Sequence, residues 1–234
     1  MTCSKGSNQA DKLISVRGLT KVYSSSSGPT VELLGGLSLE ISRGDCIAVI
    51  GRNGSGKSTL LRILAGMETP TNGVVAYPSG QCDLAYLAQG VGEYAGRDLT
   101  VCEQVNLGRL KKASTDAPSW NLSGAAARNR AARLLGPLNL GLEVRLDEYM
   151  RNLSGGQAQA VMLASLVGLQ PPELLLLDEH ASALDQQVQE SILLMLRNCL
   201  QNSGSAIVMV THDQFVLESL PARRIEVPYP RLGN

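Results

Sequence analysis

Alternating apolar and polar positions mark two stretches near the start of the chain, Leu13–Tyr23 and Val31–Ile41, as β-strands. The SSSSGP run from Ser24 to Pro29 between them has turn composition, so the pair reads as a β-hairpin. Three short runs are instead apolar almost throughout: CIAVI (Cys46–Ile50), LLLLD (Leu174–Asp178) and AIVMV (Ala206–Val210). Runs of this kind suit strands buried on both faces. The first leads through a glycine-rich turn into the helix-like STLLRILAG. Buried strands separated by helices predict a parallel sheet covered on both sides. Between about Val91 and Leu153 no such run occurs, and GAAARNRAARLLG, closed by Gly136 and Pro137, predicts a helix. The expected fold class is α/β: a mostly parallel core built from residues 13–90 and 158–234, with an N-terminal antiparallel β subdomain. A helical subdomain over 91–157 is inserted into it, and residues 1–12 form a polar tail. At 234 residues with 44% hydrophobic content, the chain is expected to form one domain.

Composition removes several alternatives. Lys and Arg together number 21, and so do Asp and Glu, which argues against a nucleic-acid partner held by bulk charge. The greasiest runs, Ala160–Leu169 and Leu174–Leu177, fall far short of the roughly 20 apolar residues of a spanning helix. The opening MTCSKGSNQADK lacks the apolar segment of a secretory signal, so a cytoplasmic chain is expected. Cys3, Cys46, Cys82, Cys102 and Cys199 are scattered, with no C-x-x-C pair, and read as reduced structural thiols. Arg128, Arg130 and Arg133 on the expected middle helix read as a solvated face.

Chemistry enters with GRNGSGKST, the run Gly51, Arg52, Asn53, Gly54, Ser55, Gly56, Lys57, Ser58, Thr59. It fits G-x-x-x-x-G-K-[ST] and lies between a buried strand and a helix, the setting this P-loop needs. Gly54 and Gly56 let backbone N–H groups turn inward around phosphates at a helix N-terminus, whose dipole favours anions. Lys57 can reach the β- and γ-phosphates, and the Ser58 hydroxyl can ligate Mg²⁺. In LLLLDEH, Asp178 ends a buried strand, where a carboxylate is costly unless used, and is placed to hold Mg²⁺. Glu179 follows as the candidate base that orients and deprotonates an attacking water. A further motif, NLSGGQ, places Ser154 24 residues before Asp178. A serine followed by two glycines at a helix start makes a second phosphate-binding nest. One ATP does not need two nests in one chain.

With these motifs in order, the chain resembles the ATP-binding-cassette (ABC) family, a P-loop NTPase family distinguished by LSGGQ, over nearly its whole length. The resemblance implies a head-to-tail dimer in which Ser154, Gly155, Gly156 and Gln157 of one subunit close over the γ-phosphate held by the other. It also implies a set of site residues. Tyr23 matches the aromatic that stacks on adenine, a use suited to its flat π-face. Gln89, ending DLAYLAQ, matches the glutamine that contacts Mg²⁺ and the attacking water. Asp185, ending the SALD run from Ser182, matches the acid of the loop that crosses the dimer interface. His212 matches the switch histidine at the γ-phosphate, where imidazole can donate a hydrogen bond.

Two departures stand out. His180 and Ala181 replace the family's usual proline and threonine, and Ala158 stands where an arginine often follows the signature. Neither removes a site residue, so a homodimer is expected to hold two competent sites. After the strand-like ARRIEV only PYPRLGN follows, and no appended regulatory domain is expected.

The function implied is an ATPase, with ATP as substrate and Mg²⁺ as cofactor. It would pair with itself or with another ABC ATPase and drive transport through separate transmembrane permease subunits at the cytoplasmic face of the membrane. A soluble cassette acting in assembly or repair is the rival reading. Translation-type cassettes carry two such domains and repair types a long coiled-coil insertion, and neither is present. The LDEH variant, with GLEVRLD upstream, also resembles bacterial importer ATPases, some assigned to aromatic amino acids.

Overall fold

The computed structural model describes residues 11–25, 28–90, 98–107, 124–168, 170–178 and 185–233. Its first two strands, β1 (Lys12–Ser25) and β2 (Gly28–Ser42), are the expected hairpin, but longer. Pairing continues to Ser25 opposite Gly28, so Ser24, Ser25, Gly28 and Pro29 belong to the ladder and not to the loop. β3 (Cys46–Ile50) then enters the glycine-rich turn and α1 (Lys57–Leu64). β4 (Asn72–Ala76) and β5 (Leu84–Leu87) follow. The helical stretch comprises α2 (Val101–Leu107), α3 (Gly124–Leu135), short 3-10 turns at Gly136–Leu138, Leu142–Val144 and Met150–Asn152, and α4 (Gly155–Val167). β6 (Leu174–Asp178), α5 (Gln186–Ser203), β7 (Ala206–Val210), α6 (Gln214–Ser219), β8 (Arg223–Glu226) and β9 (Arg231–Gly233) complete the described chain.

Two sheets result. The larger runs β5-β6-β7-β3-β8, and every pairing in it is parallel. The smaller is antiparallel, in the order β4-β1-β2-β9. Two of its strands carry no apolar alternation that would announce them. β4 reads NGVVA and lies largely exposed at the sheet edge, and β9 is three residues within PYPRLGN.

The period of two along the parallel strands divides the core. Ala48, Leu175, Leu177, Ile207 and Met209 pack with the helices α2 to α5. Ile47, Val49, Leu174, Leu176, Val208 and Val210 point the other way, onto α1 and the inward side of β1 and β2. Both faces are therefore covered, which is why these runs are continuously apolar. A fully buried leucine such as Leu176 is worth about 2–5 kcal/mol against alanine.

α3 stops at Leu135 because Gly136 and Pro137 follow and open a 3-10 turn. On this helix Arg128 is exposed and forks onto Asp147, and Arg133 is exposed too. α4 begins within the SGGQ run and continues through position 157, where the sequence reading divided helical region from core. Cys46, Cys82, Cys102 and Cys199 are free thiols. Burial, with the neighbouring Asp45 charge, pushes Cys46 up to about 12, and burial alone takes Cys199 to about 11, so both stay protonated. Among the described residues no helix is long and apolar enough to cross a membrane.

Candidate nucleotide-binding site

In the parallel sheet the carboxyl ends of β3, β5, β6 and β7 lie on one side, where ligands of open α/β sheets bind. Four of the sequence predictions fall there. Gly51–Thr59 spans the turn from β3 into the first turn of α1. Asp178 is the last residue of β6, opposite Val210 of β7. Gln89 lies two residues past β5 and His212 two past β7.

The turn has the shape of a phosphate cradle. Gly56 caps α1 in the left-handed region at φ 100°, and a side-chain carbon there would lie 3.1 Å from Leu33. Glycine alone meets both conditions without strain. Lys57, 6% exposed, donates from Nζ to the carbonyls of Gly51 at 2.9 Å and Arg52 at 3.1 Å. The ammonium thus stands inside the loop, held by acceptors that a phosphate can replace. Ser55 is buried at 1%, and its hydroxyl has no hydrogen-bond partner among the described residues. A buried polar group left this way is costly, which fits a loop built around a ligand. Arg52 is exposed and stacks over Tyr229, 5.2 Å from the ring centre.

A cavity of about 390 Å³ opens on this loop, lined by Asn53, Gly54, Gly56, Lys57, Ser58 and Thr59 together with Gln89 and Leu33. It unites a glutamine and a P-loop that lie far apart in the sequence. Asp178, 3% exposed, ends β6, and the Tyr86 hydroxyl donates to its Oδ2 at 3.4 Å. Burial and the Asp178 charge push the Tyr86 phenol up to about 12, so it remains a donor. The oxygen donors of Asp178, Ser58 and Gln89 fit a hard cation such as Mg²⁺.

The remaining candidates separate. Tyr23, on β1, is 40% exposed, and its hydroxyl reaches Glu68 and lies 3.5 Å from Thr59 Oγ1. Ser154 caps α4: its hydroxyl accepts from Gln157 N at 3.2 Å, and Gln157 Oε1 accepts from Ser154 N at 3.3 Å. This reciprocal box holds Gly155 and Gly156 as the first turn, with Ser154 and Gly155 exposed. None of the four lines the Lys57 cavity. Asp185 caps α5 by accepting from Val188 N at 2.9 Å, and His212 is exposed. Glu179, His180, Ala181 and Ser182 lie outside the described residues.

Two contributors were missed by sequence reasoning. Leu33 lines the cavity because the Leu34-Gly35-Gly36 stretch has positive φ at all three residues, including 71° at the non-glycine Leu34, and bends β2 onto the loop. The break of alternation at LLGG was its signal. Glu68 gathers the Tyr23 hydroxyl, and nothing in its local pattern marked it.

Cradle, strand-end acid and cavity together define a P-loop nucleotide-binding domain. Comparison with known proteins makes the assignment specific. The family described as ABC transporter matches residues 34–182, and the chain belongs to it. It is 37% identical over 220 residues to the methionine import ATP-binding protein MetN of Streptomyces avermitilis, covering 89% of this chain and 61% of that one. It is 40% identical over 185 residues to the sulfate/thiosulfate import ATP-binding protein CysA of Brucella melitensis biotype 1, covering 76% and 49%. The chain therefore spans between about half and three fifths of the length of these curated relatives. Among solved structures, it superposes with a TM-score of 0.76 and 25% identity on a dimeric ATP-binding cassette in a post-hydrolysis state with ADP and Pi, covering 95% of this chain and 99% of that one.

Proposed function

We propose that this chain is the ATP-binding and ATP-hydrolysing subunit of an ABC transporter, working as a head-to-tail homodimer or as a heterodimer with another such subunit. The observation that carries this reading is the separation of two phosphate-binding turns. Lys57 and its loop line the cavity, while the Ser154–Gln157 turn is fully built yet lies outside that lining. A second copy supplying its turn to this cavity gives both a use, and the dimeric cassette with ADP and Pi supports that arrangement.

In this site the P-loop amides and Lys57 hold the β- and γ-phosphates, and Tyr23 stacks on the base. Ser58, Asp178 and Gln89 would hold Mg²⁺, which neutralises phosphate charge when bound. Glu179 takes the proton of the attacking water, and His212 donates to the γ-phosphate as charge develops there. Asp185, at the start of α5, faces the partner cassette. Opening and closing of the dimer is passed to separate transmembrane permease subunits, so that the chain works at the cytoplasmic face of the membrane. The relatives' roles as import ATP-binding proteins support this coupling.

The test is Glu179→Gln. It is expected to bind ATP, to hydrolyse it at least about a hundredfold more slowly, and to accumulate as an ATP-dependent dimer in sedimentation experiments. Wild-type turnover would remove Glu179 as the base. A variant that stays monomeric with saturating ATP would overturn the shared site.

A further inference from the structure

We propose that Glu68 is a positioning residue for the nucleotide, fixing the ring of Tyr23 as a platform for the base at a set place relative to the phosphate loop. The proposal rests on the reading of Tyr23 as the stacking ring and goes beyond it, because it says what holds that ring.

Tyr23 sits near the end of β1 and is exposed. Left to itself a tyrosine there would sample several rotamers, and a base stacking on it would bear the cost of ordering it. The hydroxyl is not left to itself. It donates to Glu68 Oε1, in the turn that follows α1. The same carboxylate accepts from Arg62 Nε at 3.1 Å through Oε2, and Lys21 Nζ lies 3.2 Å from Oε1. Lys21 is anchored in turn, donating to the carbonyl of Thr69 at 2.8 Å, and its Nζ stands over the Tyr23 ring, 5.3 Å from the centre. One face of the ring is thereby occupied by the lysine, which leaves the opposite face as the one on which the proposal seats the base.

The network also reaches the phosphate loop. Arg62 Nη2 donates to Thr59 Oγ1 at 3.2 Å, and that oxygen is 3.5 Å from the Tyr23 hydroxyl. Thr59 is the last residue of the cradle and lines its cavity. Glu68 therefore joins β1, which carries the ring, to α1, which begins with Lys57. Burial draws the Glu68 carboxyl upward, but hydrogen bonds from Tyr23, Arg62 and Lys21 outweigh it and hold the group below its ordinary value. It is a carboxylate at neutral pH and accepts from all three donors. Base and triphosphate have a fixed separation in ATP, so a ring held at a fixed distance from the loop is pre-organised for that ligand.

Two probes separate this role from general support of the fold. ATP uses the ring and the loop, whereas inorganic tripolyphosphate uses the loop alone. In calorimetric titrations of the full chain, Glu68→Ala is expected to weaken ATP by about three- to tenfold and to leave tripolyphosphate within about twofold. Tyr23→Phe, which keeps the ring and removes the tether, is expected to match it, and the double variant to add little further loss. Glu68→Gln retains an acceptor oxygen for the hydroxyl and should recover part of the affinity.

Equal losses for ATP and tripolyphosphate in Glu68→Ala would overturn the proposal, as would unchanged ATP affinity in both Glu68→Ala and Tyr23→Phe while Tyr23→Ala binds ATP weakly. Full ATP affinity in Tyr23→Ala would instead remove the stacking role itself. A wild-type chain that binds neither ATP nor tripolyphosphate would remove the proposed function.

Discussion

The ammonium of Lys57 donates to the carbonyl of Gly51, the residue that opens its own loop, at 2.9 Å. The side chain is already folded into its loop, so on the proposed reading a bound phosphate would exchange carbonyl acceptors for charged oxygens with no search by a flexible lysine. Lys57→Ala is expected to weaken ATP by at least about tenfold in calorimetric titration. Because the Gly51 and Arg52 carbonyls then lose a donor, its melting temperature without nucleotide should fall as well.

Ser154 has a local duty apart from any phosphate. Ser154→Ala removes the hydroxyl half of the box that starts α4 and is expected to cost about 1 kcal/mol in urea unfolding. Ser154→Arg is expected to leave ATP binding by a single chain intact and to abolish hydrolysis, which a turnover assay on the same preparation would read. Full hydrolysis in the arginine variant would exclude a turn shared between copies.

A second box gives a pH dependence. Glu103 Oε2 accepts from Thr100 N at 2.7 Å and from its hydroxyl at 2.8 Å, while Glu103 N donates to Thr100 Oγ1 at 3.2 Å. The backbone hydrogen bond from Thr100, with that of its hydroxyl, holds the Glu103 carboxyl below its ordinary value. The folded state thus favours the carboxylate. Its contribution is complete above the unfolded carboxyl range and is lost as pH falls through the lowered folded value. Urea unfolding of wild type and Glu103→Gln should differ near neutral pH, and the difference should shrink as the solution is acidified below the ordinary carboxyl range of about 4.

Gly73 supports the edge strand. Its φ is +89°, and a Cβ there would lie 2.5 Å from the Gly18 carbonyl oxygen on β1. Gly73→Ala must shift one backbone or the other and is expected to destabilise the fold by about 2 kcal/mol or more in denaturant unfolding. ATP affinity measured well below the transition should change little, since Gly73 does not line the Lys57 cavity.

What the sequence disclosed depended on how local each cause was. CIAVI, LLLLD and AIVMV announced the parallel sheet because burial on both faces forces nearly every position to be apolar, and the strands begin and end where those runs do. Gly51–Thr59 announced a cradle because its glycines, lysine and hydroxyls are consecutive. β4 and β9 went unread, since an exposed edge strand and a three-residue strand owe their existence to the neighbours they pair with and not to their own pattern. Leu33 and Glu68 were unread for a related reason. One is brought to the cavity by a bend in β2, the other to Tyr23 across 45 residues of chain. The antiparallel hairpin was read correctly but cut short, because serine and glycine at its tip look like a loop while the ladder continues through them.

β9 has a mechanical consequence. Leu232 pairs with Val31, and Val31 pairs with Tyr23, so the edge strand β9 is two ladder rungs from the residue that carries the ring. A few residues earlier, Val227 N donates to the carbonyl of Ile50 at 2.9 Å, just before the P-loop begins. The segment between these two attachments acts as a tie rod across the molecule. It ties the hairpin that carries Tyr23 to the strand that feeds the glycine-rich turn, so the two are held in register by backbone hydrogen bonds.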